Sequence, residues 1–119
     1  MSQGEPKHDA EPSVLRTVSP SEAFLFYADI GQYTGKSASS ILDFLAKLNE
    51  IPLKSIEFHF SRGDFEKWVR ETLGDTYLAD RLREVESSNQ GEELRKNIQE
   101  IVERHLRRRR ARKLASRKS

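Results

Sequence analysis

Nine of the sixteen residues from Arg104 to Ser119 are arginine or lysine, and none is acidic. A block of this kind cannot enter a core, because desolvating unpaired guanidinium and ammonium groups costs far more than local packing returns. It must face water or a polyanion, which leaves the upstream residues to build whatever folds. Residues 21–103 carry 10 basic and 16 acidic side chains, a net −6, against +9 for 104–119 and −1 for 1–20. The overall charge of +2 hides this division. At 119 residues the chain supports one small core, and its 34% charged residues exceed the roughly 25% usual in soluble domains, so tails are expected. Cysteine is absent, which excludes disulfides, thiolate metal sites, iron–sulfur clusters and cysteine nucleophiles. There is no run of about 18 apolar residues and no secretory or transit pattern at the start, so a soluble, cytoplasmic protein is expected.

The segment to Pro20, with Gly4, Pro6 and Pro12 among polar residues, reads as a disordered leader in which Val14, Leu15 and Val18 pack at most locally. Glu22 to Tyr27 is a dense apolar run that fits either a helical turn or a short extended segment, and belongs in the core either way. Gly31 to Gly35 read as a turn. Ala38, Ile41, Leu42, Leu45 and Leu48 then recur at helical spacing, with Ser37 or Thr34 as N-cap and Asn49 near the end.

After Pro52, Leu53, Ile56 and Phe60 fit a helix, while Ile56, Phe58 and Phe60 also fit strand alternation; Pro in a first turn and the lack of a partner strand favour the helix. Asp64 is the expected N-cap of a helix that places Phe65, Trp68, Val69 and Leu73 on one face and stops at Gly74. Asp75 caps another, with Leu78, Leu82 and Val85 inward, until Ser87–Gly91 breaks the pattern. A last helix starts near Glu92, with Leu94, Ile98, Ile101, Val102 and His105 or Leu106 as its stripe. Repulsion among the following arginines favours fraying beyond Leu106. The expected fold is all-α, a small orthogonal bundle of four to five helices over residues 21–103, with a leader (1–20) and a basic helix or tail (104–119).

The stretch Ile56-Glu57-Phe58-His59-Phe60-Ser61-Arg62-Gly63-Asp64-Phe65-Glu66-Lys67-Trp68, followed by Leu73-Gly74-Asp75 and Leu78-Ala79, resembles the centre of an uncharacterised domain family of archaea and bacteria. Phe24-Leu25-Phe26, Asp29-Ile30-Gly31 and Thr34-Gly35 are similar to the same family, so the resemblance covers roughly residues 22 to 103 and leaves the tail out. It implies a small helical unit, stand-alone or appended to enzymes of trehalose and related carbohydrate metabolism, and supplies no mechanism.

Phe58, His59, Arg62 and Asp64 form the densest polar cluster flanked by aromatics and are the candidate partner-binding residues. Catalysis there would need a nucleophile or metal that the sequence does not place beside them. A cap at Asp64, an ion pair at Arg62 and a hydrogen-bonded His59 explain the cluster without catalysis. His8, His59 and His105 have no ligand spacing, so no metal or other cofactor is expected. Gly31 to Ser37 is one residue short of a phosphate-binding loop, although Lys36 at a helix start would hold an isolated phosphate weakly.

The tail residues Arg104, Arg107, Arg108, Arg109, Arg110, Arg112, Lys113, Arg117 and Lys118 are the candidate nucleic-acid-binding set. Arginine outnumbers lysine seven to two, and its planar fork pairs with phosphate and stacks on bases, which points to RNA or a ribonucleoprotein such as the ribosome. A bulky apolar face is lacking beyond Leu106 and Leu114, so a membrane surface is not expected. The expectation is a non-enzymatic adaptor whose acidic body meets a protein and whose tail meets RNA. The alternative is a regulatory or docking module of carbohydrate metabolism, and a third arrangement is a homo-oligomer joining tail to body.

Overall fold

A hairpin, not a helix, opens the domain. In the computed structural model, which describes residues 16–85 and 89–118 and side chains as far as Arg110, β1 (Phe24–Asp29) pairs antiparallel with β2 (Gln32–Ala38). The order continues with α1 (Ile41–Leu48), α2 (Leu53–Arg62), α3 (Asp64–Lys67), a π-helical turn (Trp68–Thr72), α4 (Thr76–Arg83) and α5 (Gly91–Lys118). The fold is therefore α+β, and the all-α expectation is overturned.

The reason lies in how unevenly the strands carry the hydrophobic signal. In β1, Phe24 and Phe26 point inward and Leu25 outward, the alternation of a half-buried strand. In β2, Gln-Tyr-Thr-Gly-Lys-Ser-Ala buries only Ala38, so it contributes backbone hydrogen bonds and almost no apolar pattern. Ile30 and Gly31 make the two-residue turn, with Gly31 at φ 73° and Asp29 Oδ1 accepting from the Ile30 N–H at 2.7 Å. Gly35, at φ 86°, sits in β2 where Phe26 pairs with Lys36 but Tyr27 with Tyr33, an irregularity that only a left-handed residue relieves. Thr34 Oγ1 donates to Phe26 O at 2.7 Å across it. Gly35 thus belongs to a strand and not to a phosphate-binding turn, and Lys36 pairs with Glu50 at 3.0 Å instead of facing a helix start.

The N-cap of α1 is Ser40, not Ser37 or Thr34, which lie in β2. Its side chain accepts from the Asp43 N–H at 3.1 Å, while Asp43 Oδ2 accepts from the Ser39 N–H at 3.2 Å, a reciprocal cap. Ile41, Phe44 and Leu48 are its buried face, and Leu42 is exposed. Leu53–Arg62 is helical as expected, and Gly63 ends it in the left-handed conformation. Asp64 is the first residue of α3, whose N-cap position Gly63 holds, so its carboxylate is free for other partners. Phe65, Trp68, Val69 and Leu73 are buried as one face, Gly74 ends the segment, and Asp75 caps α4 by accepting from the Leu78 N–H at 3.1 Å.

The core gathers Phe24 and Phe26 from β1, Phe44 from α1, and Phe65 and Trp68 from the α3 region, with neighbouring ring centroids 4.9 to 6.4 Å apart. Leu94, Ile98 and Val102 of α5 close it from the other side. Arg95, on the same helix, donates to Leu48 O and to Ile51 O at 2.9 Å, tying α5 to the end of α1. Val18 is buried with the core and donates its N–H to Ser39 O at 2.8 Å, so the end of the expected leader packs on the domain. Residues 1–15, Val14 and Leu15 among them, lie outside the described residues, as do Ser87 and Ser88 of the break before α5.

Candidate functional site

The polar cluster singled out in the sequence is brought together in space. His59 lies on the inner face of α2, where the dense aromatic cluster and β1 enclose it. Its Nε2 accepts the Tyr27 N–H at 2.8 Å, and its Nδ1 lies 2.9 Å from Asp64 Oδ2. An amide N–H can only donate, so Nε2 carries the lone pair and Nδ1 the proton, which it donates to Asp64. Arg62 Nε donates to the same carboxylate oxygen at 3.2 Å, and its guanidinium lies 4.8 Å from the centroid of the Phe58 ring. Phe58, the aromatic off the main stripe, is half-buried beneath that guanidinium. His59, at 4% exposed, fastens α2 to the outer edge of β1 by accepting from it, and the Trp68 Nε1 donates to Glu22 O at 2.9 Å in the turn just before β1.

Burial pushes the His59 pKa below its ordinary value, and the Asp64 carboxylate only partly offsets this. The folded state therefore binds a proton less readily than the unfolded chain, and stability falls as pH drops below about 6.5, the unfolded value, until it passes the folded pKa. We predict that imidazole nitrogen NMR finds His59 neutral with its proton on Nδ1 at pH 6.5; an Nε2–H tautomer would overturn the assignment.

The cluster lines a groove of about 480 Å³ running along the edge of β1, with Tyr27, Asp29, Lys67 and Glu71 on its walls. Lys67 and Tyr27 were not among the candidate site residues read from the sequence; Tyr27 enters only because the hairpin brings it beside α2. Among the described residues no nucleophile–base pair lines this groove. Among the described residues no group of three or more histidines, aspartates or glutamates is arranged to hold a metal ion.

The second site is α5. Leu94, Ile98, Val102 and His105 are buried at spacings of four, four and three, and the helix continues to Lys118 without a break at residue 103. The expected fraying is thus corrected. A helix already nucleated by its packed half adds further turns without repeating that cost, Arg, Lys, Leu and Ala have favourable propensities, and cations near a C-terminus suit the macrodipole. Arg104, Arg107, Arg108 and Arg110 are exposed and Arg109 half-buried. Arg112, Lys113, Arg117 and Lys118 occupy the following turns. At 100° per residue Arg104, Arg107, Arg108, Arg109 and Arg110 fall on all sides of the helix, so this part of the basic segment has no face free of cations.

The root of that segment is held by a buried pair. His105 Nε2 donates to Asp75 Oδ2 at 2.8 Å, with both side chains under a tenth exposed. Burial acts to raise the Asp75 pKa, but the bonds from His105 and the Leu78 N–H outweigh it and hold the carboxyl below its ordinary value. The Tyr77 ring stacks on His105 at 5.5 Å, and Arg108 donates to its hydroxyl.

Fold and surface together define a small α+β module that ends in a basic helix. Residues 21–119 match the model of a family of unknown function, DUF5752, and the chain belongs to that family. The match includes the basic segment that the resemblance left out. Neither the comparison with curated proteins nor that with solved structures found a match. Among the described residues, no helix is long and apolar enough to cross a membrane.

Proposed function

We propose that the protein is a non-enzymatic RNA-binding adaptor of the cytoplasm, whose α5 helix carries the RNA contacts and whose acidic body meets a protein. The observation that carries this reading is the course of α5: its first half is packed in the core, and its second half continues as a helix with cations on every side and no carboxylate after Glu103. Like charges three and four residues apart, such as Arg104, Arg107 and Arg108, each cost the helix a few tenths of a kcal/mol. A polyanion removes that penalty on binding. Cations around the whole circumference suit a groove whose two walls both present phosphates, and arginine's fork suits RNA over a merely solubilising lysine tail. Because the segment is already helical, binding pays little ordering entropy.

The test must spare His105 and Leu106, which pack against the body, so substitution replaces truncation. Binding of an RNA hairpin is measured against salt for the full chain and for the variant Arg107→Gln/Arg110→Gln/Arg112→Gln/Lys113→Gln. If roughly four to eight phosphates are engaged, the log–log slope is about −4 to −7, and losing four cations lowers its magnitude by about 3. Equal affinity and slope for the two proteins would overturn the reading.

The groove beside Phe58, His59, Arg62 and Asp64 favours the second reading, a docking module for an enzyme of carbohydrate metabolism. Partner binding would then persist in the same four-substitution variant.

A further inference from the structure

We propose that Tyr77, between Arg81 and Arg108, is a stacking seat for an unpaired base of the RNA strand held by α5, so that the interface begins on α4. This rests on the RNA reading above. Tyr77 is 47% exposed, an unusual position for an aromatic ring so close to a buried pair. One partner of the ring is His105, stacked at an interplanar angle of 26° and itself fixed by Asp75, so the seat has a rigid back. The Arg108 guanidinium lies 5.2 Å from the ring centroid and that of Arg81 5.8 Å. An aromatic ring with cations beside it, at the point where the basic segment leaves the core, has the composition of a site that stacks a base and takes its flanking phosphates.

Of the local carboxylates only Glu84, which is exposed to water, gives up its partner when the seat opens. Asp75 is bonded to His105, Asp80 accepts from Arg70 at 2.9 Å, and Glu84 pairs with Arg81. Arg81, at 44% side-chain exposure, is the movable group over the ring. Swinging it and Arg108, whose guanidinium also lies over the ring, toward flanking phosphates uncovers the ring face. Base stacking is tolerant of sequence, since every base has a π-face, so the seat adds affinity for unpaired strands without selecting among bases.

The test compares oligouridylate, a strand with bases, and inorganic polyphosphate, a polyanion without them, on the full chain. Tyr77→Leu is expected to weaken oligouridylate binding about tenfold while leaving polyphosphate within about twofold. Tyr77→Phe keeps the ring and is expected to bind both as the parent does. If Tyr77→Leu weakens both probes equally, the ring only supports the helix and the proposal falls; if it weakens neither, the proposal falls as well. The four-substitution variant of α5 keeps Tyr77 and reports on the RNA reading separately, because it is expected to lose both probes together.

Discussion

Replacing Phe44 with alanine is expected to remove about 3–5 kcal/mol of folding stability, a large share of the roughly 5–15 kcal/mol available to a domain of this size. Phe44 is fully buried, with ring centroids of Phe24, Phe26, Phe65 and Trp68 between 5.2 and 6.1 Å away. It is where α1, the hairpin and the α3 region meet. Truncation leaves a cavity bounded by four rings from three elements, and rings already packed against one another, two of them edge-on to Phe44, cannot collapse into it without breaking their own contacts. Urea unfolding followed by the single tryptophan, Trp68, which is itself a wall of that cavity, measures the loss. Leu42→Ala on the outer face of the same helix is the control and is expected to stay within about 0.5 kcal/mol, since Leu42 is half exposed. Equal costs for the two substitutions would mean that the aromatic cluster is not the centre of the core.

Asp75→Ala is expected to cost about 2–4 kcal/mol, because one carboxylate serves two structures. Its Oδ1 caps α4 through the Leu78 N–H, and its Oδ2 accepts the hydrogen bond from His105 Nε2 on α5. Among the described residues His105 Nδ1 has no hydrogen-bond partner, so removing Asp75 leaves a buried imidazole with neither nitrogen satisfied. Asp75→Asn keeps the capping oxygen but sets its amide NH2 against His105 Nε2, which must then accept, so it is expected to lose less than Asp75→Ala but not to match the parent. The pH dependence separates the contributions. The Asp75 carboxyl is held below its ordinary value in the folded state, so its stabilisation is complete above about pH 4 and is lost as pH falls through the folded pKa. Asp75→Ala is expected to flatten that part of the acid unfolding curve, which acid titration of both proteins by circular dichroism reads directly. An unchanged curve would show that Asp75 is not coupled to folding.

The same carboxylate bears on function. It fixes His105, which backs Tyr77 and marks the point where α5 leaves the core. Loosening the pair would free the root of the basic segment, and the stability and RNA-binding measurements would then shift together.

Much of the helical order was legible because it rests on local signals. Asn49 ends α1, Gly63 and Gly74 end their segments, and Asp75 caps α4, each a residue whose own chemistry stops or starts a helix. The buried faces of the α3 region and of α5 follow directly from their spacing. What escaped was everything that one element supplies to another. The hairpin was missed because β2 pairs through its backbone and offers a single buried side chain. Phe44 was passed over for Leu42 and Leu45, which share a helical pattern but not the face toward the aromatic cluster. Asp64 was assigned to a cap because only the turn at Gly63 brings it to His59 and Arg62. Tyr77 and Arg81 were visible as a pair four residues apart, yet nothing local foretells that Arg108 and His105 arrive beside them.

By itself the sequence determined where charge must go: a run of nine cations without a carboxylate cannot be buried, so the end of the chain had to leave the core wherever the rest folded. Only the tertiary structure decided how it leaves. Packing of Leu94, Ile98, Val102 and His105 against the domain nucleates a helix whose continuation costs little, and the hydrogen bond from His105 to Asp75, thirty residues upstream, fixes where that helix becomes free. Charge is a property of each residue alone, whereas burial and partnership belong to pairs that meet only when the chain is folded.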